Sequence, residues 1–157
     1  MAQTLNGINE AVRFNHSVEQ CIAKTDGAVL AVADPLFIIT GGPIIVTQFI
    51  GIVTTIIGGA ANCQIQIVTT TPAGTVNLST DVAIDNDAAG TSYTFTAAAP
   101  SVLTPTTAGA LANVPAVKWL CPIGTIQADT DAAQTGVIAW YMSYIPLDPN
   151  ARVRISP

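Results

Sequence analysis

Charge is scarce in this sequence. Of 157 residues, 5 are Lys or Arg and 10 are Asp or Glu, so 10% of the chain is charged, against about 25% in an average protein. The cations Arg13, Lys24, Lys118, Arg152 and Arg154 are scattered, and none lies between Lys24 and Lys118. With a net charge of −5 and no basic cluster, the chain lacks the footprint of a nucleic-acid binder, which neutralises phosphates with grouped Lys and Arg. Histidine occurs once, as His16 between Asn15 and Ser17. No base, nucleophile or second ligand adjoins it, and no Gly-x-Ser-x-Gly elbow exists. The three cysteines, Cys21, Cys63 and Cys121, fit no Cys-x-x-Cys spacing, and a closed zinc site needs four ligands at recognisable intervals. Three reduced thiols in a reducing compartment are the expectation. Aromatic residues make up 6% of the chain, too few to line a sugar cleft around paired carboxylates. Gly41-Gly42 and Gly58-Gly59 lack the Lys-Ser/Thr ending of a phosphate loop. The expectation is a protein with no catalytic residue, no cofactor and no metal, and not an enzyme.

What is present is apolar and β-branched. Half of the chain is hydrophobic, which excludes an intrinsically disordered chain. Leu36 to Ile57 carries no charge and is as long as a membrane-spanning helix, about 20 residues. It is dominated by Ile, Val and Thr, is interrupted by Gly41-Gly42-Pro43, and has no cation close to either end. Two buried strands separated by a Gly-Gly-Pro turn fit it better than a membrane span. The N-terminus has no basic then apolar leader, so synthesis and use in the cytoplasm are expected.

Along the chain, residues 1–17 read as an arm and residues 18–157 as one β domain. Strands are expected at 18–23, 29–32, 37–40 and 43–57, with Gly51 a bulge or bend in the last. The clearest alternation follows: Cys63, Ile65, Ile67 and Thr69 against Gln64, Gln66, Val68 and Thr70. With the turn at Thr71-Pro72-Ala73-Gly74 and the resumption at Val76 and Leu78, it predicts a hairpin with one face on the core. Further strands are expected at 92–96, 117–121, 123–128 and 137–145, with 97–116 a long loop. The 137–145 strand is apolar on both faces, which suggests a central position or a subunit interface. This pattern predicts an all-β fold, an antiparallel β-sandwich or barrel, jelly-roll-like, with an N-terminal arm.

Asp81, Asp85, Asn86 and Asp87 share one loop, and Asp129 and Asp131 another. Asx-rich loops bind calcium or simply build β-turns. If Asp81 opened an EF-hand loop, positions 6 and 12 would hold Asn86 and Ser92 in place of Gly and Glu, so turns are favoured.

Two segments carry a resemblance. One is Pro35-Leu36-Phe37-Ile38-Ile39-Thr40-Gly41-Gly42-Pro43-Ile44-Ile45-Val46, continuing to Gly51-Ile52-Val53-Thr54-Thr55-Ile56. The other is Gly136-Val137-Ile138-Ala139-Trp140-Tyr141-Met142-Ser143-Tyr144-Ile145-Pro146-Leu147, continuing to Ala151-Arg152-Val153. With the loop Ala83 to Thr91 between them, they resemble small β-rich virion proteins of tailed bacteriophages, most of all capsid decoration (cement) proteins. The Gly-Gly-Pro after Thr40 departs from the single-Gly turn of that pattern. The resemblance implies a structural protein on the capsid exterior, assembled in the host cytoplasm. Its partner would be the major capsid protein, and it would form a homo-oligomer, a trimer favoured over a dimer. It implies no nucleic-acid or membrane partner. Leu5, Ile8 and Phe14 would dock from the arm, and Trp140 and Tyr144 would lie in the core or at an inter-subunit contact. The alternatives are a tail, baseplate or head-fibre component, and a sugar- or calcium-binding β-sandwich module.

Overall fold

The alternation in the sequence becomes two antiparallel sheets in the computed structural model, which describes residues 19–25, 32–96, 101–110 and 116–157. The arm and its Leu5, Ile8 and Phe14, as well as the expected strand at 29–32 up to residue 31, lie outside the described residues. Twelve strands follow in chain order: β1 (Gln20–Lys24), β2 (Asp34–Thr40), β3 (Ile44–Gly58), β4 (Asn62–Thr70), β5 (Ala73–Asn77), β6 (Val82–Ala83), β7 (Ser92–Phe95), β8 (Leu103–Thr106), β9 (Trp119–Cys121), β10 (Gly124–Thr130), β11 (Thr135–Pro146) and β12 (Arg152–Ile155). Sheet A has the order β1-β11-β3-β7-β8, with β9 also on β3; sheet B has the order β12-β2-β10-β4-β5, with β6 also on β4. The sheets pack face to face as a sandwich, and neither closes into a barrel.

One core lies between them. Leu36, Phe37 and Ile39 of β2, Cys63, Ile65 and Ile67 of β4, and Ile126 and Ala128 of β10 face Phe49 and Val53 of β3 and Ile138, Trp140 and Met142 of β11. Phe49 is its centre. Its ring centroid lies 5.5–5.8 Å from those of Phe37, Phe95, Trp119 and Trp140, within the range where tilted and edge-on aromatic pairs attract.

The charge-free run Leu36 to Ile57 forms β2 and β3, but the Gly41-Gly42-Pro43 turn is a corner that carries the chain from sheet B to sheet A. Gly41 has φ 76° there, and a Cβ would collide with the carbonyl of Asn150. At the second glycine, Gly42, a Cβ would sit 2.4 Å from Asp148 Cβ, so the turn needs both.

Four expectations are corrected. Gly51 is not a bulge; it pairs in regular register with Trp140, and the three register shifts of this ladder fall beside Thr47, beside Thr54 and at Gly136. The glycine is needed because the indole lies on it: a Cβ would sit 2.6 Å from Trp140 Cζ3. The hairpin of β4 and β5 forms, but β5 is exposed throughout, so only its first strand reaches the core. The stretch expected as a long loop contains β8, whose Leu103 is buried and whose Pro105 is tolerated because β8 is the edge strand of sheet A among the described residues. Finally β12, which sequence alternation did not single out, completes sheet B against β2.

Both edges of the sandwich are tied across the two sheets, one by a side chain and one by backbone. On one edge the Lys24 ammonium, nearly buried, donates to the carbonyl oxygens of Pro35 (2.9 Å) and Ser156 (3.3 Å) and lies 3.8 Å from Asp34 Oδ1. It thereby joins β1 of sheet A to the β2 and β12 side of sheet B. On the other, the tie is backbone: Thr80 N donates to Ser101 O at 2.9 Å and Ser101 N to Leu78 O at 3.3 Å, while the two serine hydroxyls brace their own sheets, Ser79 Oγ accepting from Ile65 N and Ser101 Oγ from Trp119 Nε1.

Candidate functional site: the outer face of sheet A

The polar groups that might have carried chemistry are occupied with holding the fold. Asp85 Oδ1 accepts from Ala61 N at 2.9 Å and Asn86 Oδ1 from Gly59 N at 3.3 Å, so this loop caps the corner between β3 and β4. Asp87 accepts from the buried Tyr93 hydroxyl. Burial, then this hydrogen bond to a carboxylate, pushes the phenol well above its ordinary range. Asp131 accepts from Asn62 N at 2.8 Å and from Asn62 Nδ2 at 2.9 Å, and these bonds hold its carboxyl below the usual range. Among the described residues no three His, Cys, Asp or Glu side chains gather as a metal site. Cys63 and Cys121 are buried, and desolvation pushes both thiols up from 9.0 to about 12, which makes them poor nucleophiles. Cys21 is exposed, 3.3 Å from Ser143 Oγ.

The two sheets differ sharply on their solvent sides. The outward positions of sheet B include Arg152 and Arg154 on β12, Gln127 and Asp129 on β10, and Gln64 on β4. This is the usual polar exterior of a half-buried sheet. Sheet A is different. Its β3–β11 register places outward pairs side by side: Ile45 with Ile145, Gln48 with Ser143, Ile50 with Tyr141, Ile52 with Ala139, and Thr55 with Val137. β9 extends the first row with Leu120 beside Ile45, and β1 extends the second and third with Cys21 beside Ser143 and Ala23 beside Tyr141. None of these residues is charged, but two charges adjoin the rows: Glu19, just before β1, accepts from Thr47 Oγ1 of β3, and Lys118 is exposed two residues before Leu120. Leu120 is 68% exposed, Tyr141 39% and Ile52 36%.

The face is not flat. Small side chains on β1 and β11 leave a depression of about 270 Å³, walled by Gln48, Ile50 and Tyr141 and floored by Cys21, Ala23 and Ser143. The protruding Leu120 stands on the same face, beyond Ile45.

Trp140 and Tyr144, expected in the core or at a contact, are both enclosed within this chain at 1% and 5% exposure. They point to the opposite side of β11 from Tyr141, Trp140 stacking on Tyr93 and Tyr144 donating to Gln20 Oε1 at 2.7 Å. They are core residues and offer a partner no surface. On this face the apolar surface is presented by Leu120, Ile52 and Tyr141, of which the sequence reading marks Tyr141 alone, as a core or interface aromatic. Their signal was there in the two-sided apolar character of 137–145 and the out-of-phase isoleucines of β3. Reading it required knowing which phase faces inward, and the register shift beside Thr47 hides that.

No protein family, curated protein or solved structure matches this chain.

Proposed function

We propose that this chain is a structural subunit that acts by being built into a larger assembly, with the outer face of sheet A as its contact surface. One observation carries the reading: the outer face of sheet A bears contiguous rows of uncharged side chains, Ile45, Ile50, Ile52, Leu120 and Tyr141 among them, with the charges of Glu19 and Lys118 at their margin, while Arg152, Arg154 and Asp129 stand on the outward side of sheet B. Soluble monomers rarely expose contiguous apolar patches beyond a few hundred Å². The centre of these rows holds no ion and the charges stand at their margin, as in protein interfaces, whose cores are depleted in charge and whose rims are polar.

The finer reading is that of a capsid decoration protein on a phage head, bound to the major capsid protein at the capsid exterior. It rests on the sequence resemblance alone. The resembling segments supply β2, β3 and β11, the last two of which form the proposed contact face. The mechanism is additive burial: a subunit seated across a joint between capsomers contributes interface area that must be lost before the joint opens.

Its test is the copy number of the chain in purified particles, by quantitative mass spectrometry against the most abundant shell protein. A ratio between about one to three and one to one is expected for a symmetric shell component. A handful of copies per particle would assign the chain to a tail or fibre. Absence from particles would remove the virion reading.

A further inference from the structure

We infer that the arm folds back on its own chain in the free subunit, with Phe14 seated on the Leu120 end of the outer face of sheet A. The occupant of that end is a segment of the same chain, and the rows of Ile50, Ile52 and Tyr141 stay open to a partner.

The first reason is where the arm joins the fold. Gln20 of β1 pairs with Tyr144 of β11, so Glu19 stands one step further along, beside Ile145. Ile145 pairs with Ile45, and Ile45 with Leu120. The Glu19 carboxylate accepts from Thr47 Oγ1 of β3, and β11 lies between β1 and β3. The first described side chain after the arm is therefore laid across the outer face, at one end of the row that Leu120 closes at the other. The second reason is what that end presents. Leu120 is 68% exposed, and Leu147, just past the end of β11, is 49% exposed. The third is reach. From β1 to β9 is three strand spacings, about 14 Å, and the five steps of chain from Glu19 to Phe14 span about 17 Å when extended. The fourth is the composition of the arm. In an extended chain alternate side chains share a side, and Ile8, Val12 and Phe14 fall together. Glu10 and Arg13 cancel, so the whole net charge of −5 belongs to the rest of the chain and the arm meets no like-charge repulsion from it. Glu10, the one acidic residue of the arm, falls near the exposed Lys118, which precedes Leu120 by two residues. A segment tethered this closely is presented at an effective concentration of about 1 mM or more, which favours its own face over that of a second copy.

An arm seated on its own chain stands in contrast to the docking on a partner implied by resemblance. The experiment is limited trypsin digestion of the full chain, followed by intact mass over a concentration series. Arg13 is the one trypsin site in the arm, and the bond it shares with Phe14 is the one the seat covers. Leu120→Asp removes the seat without touching that bond, and the fold is kept because Leu120 is exposed. Cleavage after Arg13 is expected to be about tenfold slower in the wild type than in Leu120→Asp, since cleavage follows the population of the open form, and to be independent of protein concentration. Val76→Asp, at an exposed apolar position on β5 of sheet B, should cleave as slowly as the wild type. Phe14→Ser tests the other half of the contact by hydrogen exchange, with protection over residues 8–18 present in the wild type and lost in the variant. Equal cleavage rates in the wild type and Leu120→Asp overturn the inference. So does protection that grows with concentration, which assigns the arm to a second copy, or exchange that Phe14→Ser leaves unchanged. Fast cleavage of a chain that is abundant in purified particles overturns the seat and leaves the assembly reading standing. Slow cleavage of a chain absent from every particle does the reverse.

Discussion

At Gly51 the backbone of β3 serves as a packing surface: the Trp140 indole lies directly on it, in the space that any Cβ would fill. Gly51→Ala must push the ring into Phe49 and Tyr93, its aromatic neighbours. A loss of about 1–3 kcal/mol is expected, the usual cost of overpacking a filled core, and chemical denaturation followed by tryptophan fluorescence checks it. Trp140→Ala removes the largest fully buried side chain and should cost about 3–5 kcal/mol. The pair also shows what the sequence made legible at this scale. Trp140 sits in a strand that is apolar on both faces, so the sequence could place it in the core or at a contact, and only its burial decides for the core. Gly51 could be noticed but not explained, because its partner lies far along the chain and only the register brings them together.

Among the elements, β1 depends most on a single side chain. It is a five-residue edge strand bound to β11 on one side, and the Lys24 ammonium at its end bonds across to sheet B. Lys24→Met keeps much of the stem but leaves two carbonyls without their donor. A destabilisation of about 1–3 kcal/mol is expected. Hydrogen exchange should show protection lost over residues 20–24 before it is lost in β11, since edge elements open at lower free energy than the core. The elements that sequence reading placed well, β4, β7, β10 and β11, alternate cleanly or sit between strong turn signals. Those it missed are short and at an edge. β8 contains a proline and only one buried apolar residue, and β12 alternates arginines with apolar residues on a chain with few charges to contrast. Edge strands bury little, so their composition carries little pattern. The apolar outer face of sheet A was half legible for the converse reason: an apolar residue looks the same in a sequence whether it faces a core or a partner.

For the molecule as a whole, buried acidic groups define an alkaline limit. Unfolded, the thiols of Cys63 and Cys121 release their protons near 9.0; folded, they hold them to about 12. The folded state therefore binds more protons than the unfolded state across that window. The stability these groups contribute is complete below pH 9 and is lost as pH rises toward 12, at about 1.4 kcal/mol per pH unit for each thiol. Tyr93, also raised, adds to the loss above its ordinary range. Urea midpoints measured from pH 8 upward should fall, and the Cys63→Ala/Cys121→Ala double variant should give a shallower fall over the same range. A slope unchanged by the double variant would assign the alkaline loss to other groups.

The contrast between the two outer faces has a consequence for wetting. A single copy is amphiphilic across its thickness, with a water-repelling side on sheet A and charged residues on the side of β10 and β12. At an air–water boundary such a particle settles with sheet A toward the air, for the same reason that apolar area leaves water elsewhere. Thin vitrified films of the separated subunit should therefore show one dominant view, down the normal to the sheets, whereas films of an assembly that covers the face should show views in all directions.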